Sequence, residues 1–289
     1  MKLKFKSLIA ICIFIAIFFL NAETIAENMQ YVDVKIGNNI YLGSKISINS
    51  SSGFIIRNQA NNYASNATTI YISLSSPELY TILDGDNNKI AEINYADNYE
   101  IVPMSENDDH INLNGKYYRG SIKLVKNNSN YFIINHVSLE EYLYGVVPRE
   151  IPSSAPLEAL KAQAIAARSY SLNNLNKHIK DGYNLCDSTH CQVYGGYSAE
   201  KESTNQAVDD TKGIIMQYND KVVDAVFHSS SGGYTESSEN VWGSKIPYLV
   251  AVKDPFSLNA PNSNWNITFT NSVIVNNLKN NNIQIQDLI

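Results

Sequence analysis

Cysteine is scarce. There are three in 289 residues, one of them (Cys12) inside the N-terminal apolar run, and this excludes a small domain stapled by several disulfides. With 8 Pro and 14 Gly the chain is neither collagen-like nor a low-complexity polymer, and its many Asn are scattered rather than gathered into a tract. Positive charge is in deficit: 22 Lys and Arg against 28 Asp and Glu give a net charge of −6. A nonspecific nucleic-acid binder needs a basic footprint to displace counterions from phosphates, so that class is set aside. No internal repeat is present, no Gly-x-Ser-x-Gly elbow, and no glycine-rich loop ending in Gly-Lys-Ser/Thr. What remains is a chain with 44% hydrophobic and 17% charged residues and 19 Tyr. It is long enough for one large domain or two modest ones, each with its own core.

The first 26 residues read as an export segment. Lys2, Lys4 and Lys6 precede an apolar run at 8–20, followed by Asn21, Glu23 and the small-residue stretch Thr24-Ile25-Ala26. That is the layout of a secretory signal. The run is short for a full span, which needs about 20 residues, so cleavage after Ala26 is one expectation. The other is retention as a membrane anchor with the lysines on the cytoplasmic side. Either way the remainder faces the outside of the membrane and is acidic.

From Tyr31 to about Ile134 short alternating runs at 32–36, 44–48, 71–74, 120–125 and 131–134 are separated by Gly, Asn, Ser and Asp, as in antiparallel strands, and 27–117 is read as a β-rich N-terminal region. At Ser138-Leu-Glu-Glu141 a capping box starts a helix that Pro148 is expected to end. Ser153 or Ser154 can cap a second, Ala-rich helix with Pro156 in its first turn. Its stripe of Leu157, Leu160, Ala164 and Ala167 suits a central, closely packed helix. Two further β-type runs, 214–218 and 222–227, meet at the turn dipeptide Asn219-Asp220. The expected class is α+β: a β-rich N-terminal part, then a mixed helix and strand core at 118–289 around the Ala-rich helix.

Three constellations can carry chemistry. Glu150 stands in Pro148-Arg149-Glu150-Ile151-Pro152, where two prolines stiffen the backbone. A carboxyl among apolar neighbours loses solvation and keeps its proton to higher pH, as a general acid requires; the alternative is an ordinary acid near a helix terminus or paired with Arg149. Cys186-Asp-Ser-Thr-His190-Cys191 sets two thiols and an imidazole within six residues. They suit zinc, with His178 or water as a fourth ligand, or a Cys186–Cys191 disulfide, or a free reactive thiol. His228-Ser229-Ser230-Ser231-Gly232-Gly233 follows a strand and can line a cleft, form a plain surface turn, or offer a serine nucleophile beside a histidine.

The runs 139–152, 156–170, 186–194 and 227–233, with Glu239-Asn-Val-Trp-Gly243, together resemble the stage II sporulation protein D family. The resemblance implies a peptidoglycan lytic transglycosylase acting in forespore engulfment from outside the mother-cell membrane. It also implies a cell-wall amidase as partner and glycan strands as substrate. On this footing the catalytic acid is Glu150, a structural zinc sits on Cys186, His190 and Cys191, and His228, Ser229, Ser230, Ser231 and Gly232 line the glycan cleft with Tyr194 and, more weakly, Trp242. A noncatalytic wall-binding module that enhances an amidase is the competing reading. Relatives continue with more strands past the part matched by 265–270, so the C-terminus at Ile289 is expected to be truncated.

Overall fold

The computed structural model describes residues 30–106, 109–258, 260 and 266–281; the export segment and Cys12 lie outside them. No helix among the described residues is long and apolar enough to cross a membrane. The chain divides into two compact units, up to Val226 and from Phe227 onward.

The first unit opens on twelve strands: β1 (Tyr31–Ile40), β2 (Lys45–Asn49), β3 (Phe54–Arg57), β4 (Asn62–Ser65), β5 (Thr69–Ser73), β6 (Leu79–Asp84), β7 (Lys89–Asn94), β8 (Glu100–Pro103), β9 (Ile111–Leu113), β10 (Lys116–Tyr118), β11 (Ser121–Asn127) and β12 (Asn130–Ser138). A later two-residue strand is β13 (Leu185–Cys186). One sheet runs β13-β1-β12-β11-β8-β3-β4 and the other β10-β9-β2-β5-β6-β7. The expected boundary at 117/118 therefore crosses a single sheet, since β1 pairs along β12 from Tyr31↔Ser138 to Ile36↔Ile133. Alternation does what the sequence pattern requires. Val32, Val34, Ile46, Ile48, Phe54, Ile56, Ile70 and Ile72 point inward and are buried, while their neighbours face out. Each such side chain adds about 1.5–3 kcal/mol on leaving water.

Helix α1 (Leu139–Glu150) starts where the capping box puts it. The Ser138 Oγ accepts from the Glu141 N–H at 3.4 Å and donates to the Glu141 carboxylate at 2.7 Å. Leu139, Tyr142, Leu143, Val146 and Val147 are its buried face. Pro148 does not end it. The last turn carries the proline and continues to Glu150 before Ile151 turns extended (φ −136°). A proline loses one N–H bond, and the turn still closes with the Ile151 N–H on the Val147 carbonyl at 3.1 Å. Helix α2 (Leu157–Asn173) has Pro156 at its N-cap with no side-chain cap, so Ser153 and Ser154 do not serve; Ser153 instead offers its carbonyl to Ser203 Oγ.

On α2, Leu160, Ala164 and Ala167 are buried, whereas Leu157 lies at the rim. Arg168, a residue with no obvious place in the sequence pattern, is 1% exposed. Its guanidinium grips Glu140 at 2.9 and 2.7 Å and donates to the carbonyls of Val208 and Ile214. A buried charge needs such pairing, and this one ties α2 to the N-terminal turn of α1. Helix α3 (Glu202–Asp209) packs on both. The hairpin shrinks to Gln217–Tyr218 and Lys221–Val222, with Asn219 and Asp220 both left-handed (φ 50° and 60°) as the tight turn demands. The second unit holds the short helix α4 (Ser238–Trp242) and α5 (Asn271–Asn280).

Candidate active site and metal centre

Glu150 is the last residue of α1, not a residue of the loop between two helices. It is half-buried, and its Oε1 accepts the backbone N–H of Val193 at 2.8 Å. Among the described residues it forms no ion pair, with Arg149 or any other. The segment that holds it is itself fixed. Gly195 donates to the Gly145 carbonyl at 3.0 Å, and Gly145 admits the Tyr194 ring so closely that a Cβ there would stand 2.5 Å from it. Only glycine permits that approach. Gln192 is buried and accepts from Ser171 Oγ at 2.9 Å.

Tyr194 is corrected by the structure. It is 4% exposed, its hydroxyl donates to Asn135 Oδ1 at 2.7 Å, and its ring packs on Tyr142 and Tyr118. It fills the core and presents nothing to a cleft; burial pushes its hydroxyl well above the usual tyrosine value.

The cysteine loop is hung from the sheet. β13 adds in parallel to the edge of β1, with Lys35↔Cys186. Asn184 N donates to Asp33 O at 2.8 Å, and Asp187 takes the Gly37 N–H on its carboxylate at 2.9 Å. His178, Cys186, His190 and Cys191 then converge, their ligand atoms all within 4.8 Å of one another. The thiols are free, not bridged.

Sγ of Cys186 lies 3.7 Å from His190 Nδ1, and Sγ of Cys191 lies 3.5 Å from His178 Nε2 and 3.8 Å from His190 Nδ1. A tetrahedral zinc with Zn–S near 2.3 Å and Zn–N near 2.0 Å sets neighbouring donors roughly 3.3–3.8 Å apart. The donor set fits that ion. Asp181, 3.6 Å from His178 Nδ1, stands where an outer carboxylate orients a metal-bound imidazole.

Electrostatics acts unevenly on the same set. The Lys177 ammonium, with burial and His178 behind it, lowers His190, so its ring is neutral and free to ligate near neutral pH. Burial pushes the Cys191 thiol up to about 11. Burial acts on Cys186 as well, but hydrogen bonds from Ser188 and Cys191 outweigh it and hold that thiol below its ordinary value.

The serine run lies in the second unit. His228, Ser229, Ser230 and Gly232 are exposed. Ser231 turns inward: its hydroxyl donates to the Asp254 carboxylate at 2.7 Å and lies 2.6 Å from Ser257 Oγ, while the Gly233 N–H donates to both serines. Ser231 thus fixes the turn, with Gly232 and Gly233 at positive φ. Among the described residues no hydrogen bond joins His228 to Ser229, so the pairing a serine nucleophile needs is missing. Trp242 is 58% exposed on α4.

Comparison with known proteins bears on this arrangement directly. Residues 127–218, which hold Glu150 and all four metal-type ligands, match the family model described as Stage II sporulation protein. The chain carries a domain of the stage II sporulation protein family.

Among curated relatives, "Amidase enhancer" of Bacillus subtilis (strain 168) is 40% identical over 179 residues, 61% of this chain and 24% of the relative. "Stage II sporulation protein D" of the same organism is 36% identical over 152 residues, 47% of this chain and 44% of the relative. An uncharacterized protein of Brachyspira hyodysenteriae (strain ATCC 49526 / WA1) is 35% identical over 201 residues, 69% of this chain and 53% of the relative. The chain thus spans from about a quarter to about half the length of these relatives. Two features of the site had little signal in the sequence. His178 carries no motif of its own, and Val193 acts through its backbone.

Proposed function

We propose that this stage II sporulation protein domain acts on the bacterial cell wall in sporulation and cleaves its glycan as a lytic transglycosylase, with Glu150 as the single acid and base. The observation that carries the reading is a half-buried carboxyl without an ion-pair partner, held at a helix C-terminus by one backbone N–H. Glu150 gives its proton to the glycosidic oxygen between N-acetylmuramic acid and N-acetylglucosamine, and the bond from that oxygen to the anomeric carbon breaks. The sugar's own C6 hydroxyl closes on the anomeric carbon and returns its proton to Glu150. The products are a 1,6-anhydro end and a free 4-hydroxyl, with no net gain or loss of water. Ordinary glycosidases need a second carboxylate to direct water or to attack, and an internal nucleophile removes that need.

His178, Cys186, His190 and Cys191 would hold zinc, which supplies a structural cross-link rather than a reacting group. Val193 is two residues beyond Cys191, so the ordered loop presents its N–H to Glu150 and fixes the carboxyl's direction. The exposed His228, Ser229, Ser230 and Gly232 are assigned to glycan contact, with the N-terminal segment placing the domain outside the membrane.

The 40% identical amidase enhancer favours a second reading: a noncatalytic wall-binding module that stimulates a cell-wall amidase. Glu150→Gln separates the two. Loss of roughly 10²–10⁴-fold in glycan cleavage supports the enzyme. Unchanged amidase stimulation by a chain that never cleaves glycan supports the module.

A further inference from the structure

Next to α1 the first unit has a surface depression of about 740 Å³ that none of the motifs above accounts for. We infer that this depression, between Tyr117, Tyr197 and Arg119, is a subsite for an uncharged sugar ring of a glycan strand; the inference rests on the glycan-directed reading above and names a second contact for that substrate.

The rings come first. Tyr117 and Tyr197 are 46% and 40% exposed, and both line the depression. Tyr197 is stiffened by His110, stacked at 3.6 Å between ring centres with 24° between planes. Arg119 lies over the rings of Tyr197 and Tyr144 at 5.0 and 5.7 Å. A rigid, half-exposed aromatic face matches the C–H face of a sugar, and such a ring loses little entropy on contact.

The charges come next: the lining sets Arg119 and Lys201 against Glu200, Glu202, Asp209 and Asp210, and most of these groups are already engaged. Arg119 is bound to Glu200 by two contacts of 2.6 and 3.0 Å, and Asn205 donates to the same carboxylate at 2.7 Å. Asp210 is paired with Lys161 at 3.1 Å, and Asp209 takes the Tyr144 hydroxyl. An anionic ligand would meet an acidic lining whose guanidinium is already neutralised, and three of the four carboxylates, Glu200, Asp209 and Asp210, are already engaged. A neutral polyol meets oriented acceptors and donors beside an aromatic wall.

Position supports the same occupant. Tyr144 and Glu150 share α1, and a rise of 1.5 Å per residue sets them about 9 Å apart along its axis. A strand whose scissile bond lies at Glu150 has further rings to place within that reach.

The test is equilibrium binding of a soluble N-acetylglucosamine oligomer to the full chain and to Tyr117→Ala and Tyr197→Ala. Tyr117→Ala, whose backbone N–H bond to Ser198 survives the change, and Tyr197→Ala should each weaken binding about tenfold with an unchanged thermal midpoint for the former. If Tyr197→Ala fails to fold, Tyr117→Ala decides alone. Parent-like binding by the tyrosine variants overturns the subsite whether or not Glu150 cleaves glycan, and weakened binding in a chain that never cleaves keeps the subsite while removing the transglycosylase.

Discussion

The two units of this chain place their functional residues by different means. Every fully buried apolar side chain among the described residues, from Val32 to Ala225, belongs to the first unit. In the second unit Phe256 is 94% exposed, Trp242, Leu258 and Phe269 are more than half exposed, and the buried side chains are those of Ser238 and Ser257. Glu150 and the cysteine loop are therefore aimed from a buried core, by the packing of Gly145 on Tyr194 and by the pairing of β13 with β1 and of Arg168 with Glu140. The serine run is aimed by hydrogen bonds among Ser231, Asp254, Ser257 and Gly233. Packing transmits a change of a single methylene, whereas an exposed apolar residue can be altered with little consequence.

That contrast can be broken most sharply in the core. Phe54→Ala, at full burial, should lower stability by about 3–5 kcal/mol, while Phe256→Ala should stay within about 0.5 kcal/mol. Equal losses in urea denaturation would erase the distinction. The loop gives the next largest effect. Protein prepared without chelator should hold close to one zinc per chain, and Cys186→Ala should lose it together with about 2–5 kcal/mol, the scale of a missing native cross-link. Metal analysis that finds none in the parent, with a mass lower by one Cys186–Cys191 bridge, would replace zinc by a disulfide.

Gly145→Ala drives a methyl into the Tyr194 ring, and should cost about 1–3 kcal/mol and disturb Glu150 as well. A fully active, fully stable variant would show that the contact gives way freely.

The smallest effect is electrostatic. Burial tends to raise Asp109, but hydrogen bonds from Ser50, Ser52 and the His110 backbone outweigh it and hold this carboxyl well below the usual range. A depressed folded value adds stability above about pH 4, where the unfolded carboxyl is already ionised, and that contribution is lost as pH falls toward the folded value. Asp109→Asn should therefore flatten the acid limb of the stability curve in the first unit. An unchanged limb would remove Asp109 from the account.

Much of this was legible before any coordinates. Alternation located the five strands expected from it: β1, β2 and β5 bury one face and leave the other more open, while β12 is buried on both faces from Tyr131 to Asn135. Ser138 and Glu141 announced the start of α1, since their reciprocal bonds are local. The end of that helix was not legible: Pro148 reads as a stop, yet the last turn continues and closes with the Ile151 N–H on the Val147 carbonyl. Leu157 fell on the expected stripe yet lies at the rim, because the neighbour that would cover it is a tertiary matter.

At the site, residue type identified Cys186, His190 and Cys191. His178 needed the fold, which brings a residue eight positions upstream of Cys186 against Cys191. Tyr194 misled because a tyrosine next to a functional motif is as easily a core residue as a ligand contact. The bond from Val193 to Glu150 is made by backbone, which no residue type reveals.

The most direct measurement is the oxygen balance of the reaction. Peptide-free glycan strands incubated with the full chain in ¹⁸O-labelled water should yield 1,6-anhydro ends that carry no label, since the attacking oxygen is the sugar's own. Reducing ends that carry ¹⁸O would mean that water attacks, and the single-carboxylate role given to Glu150 would be contradicted.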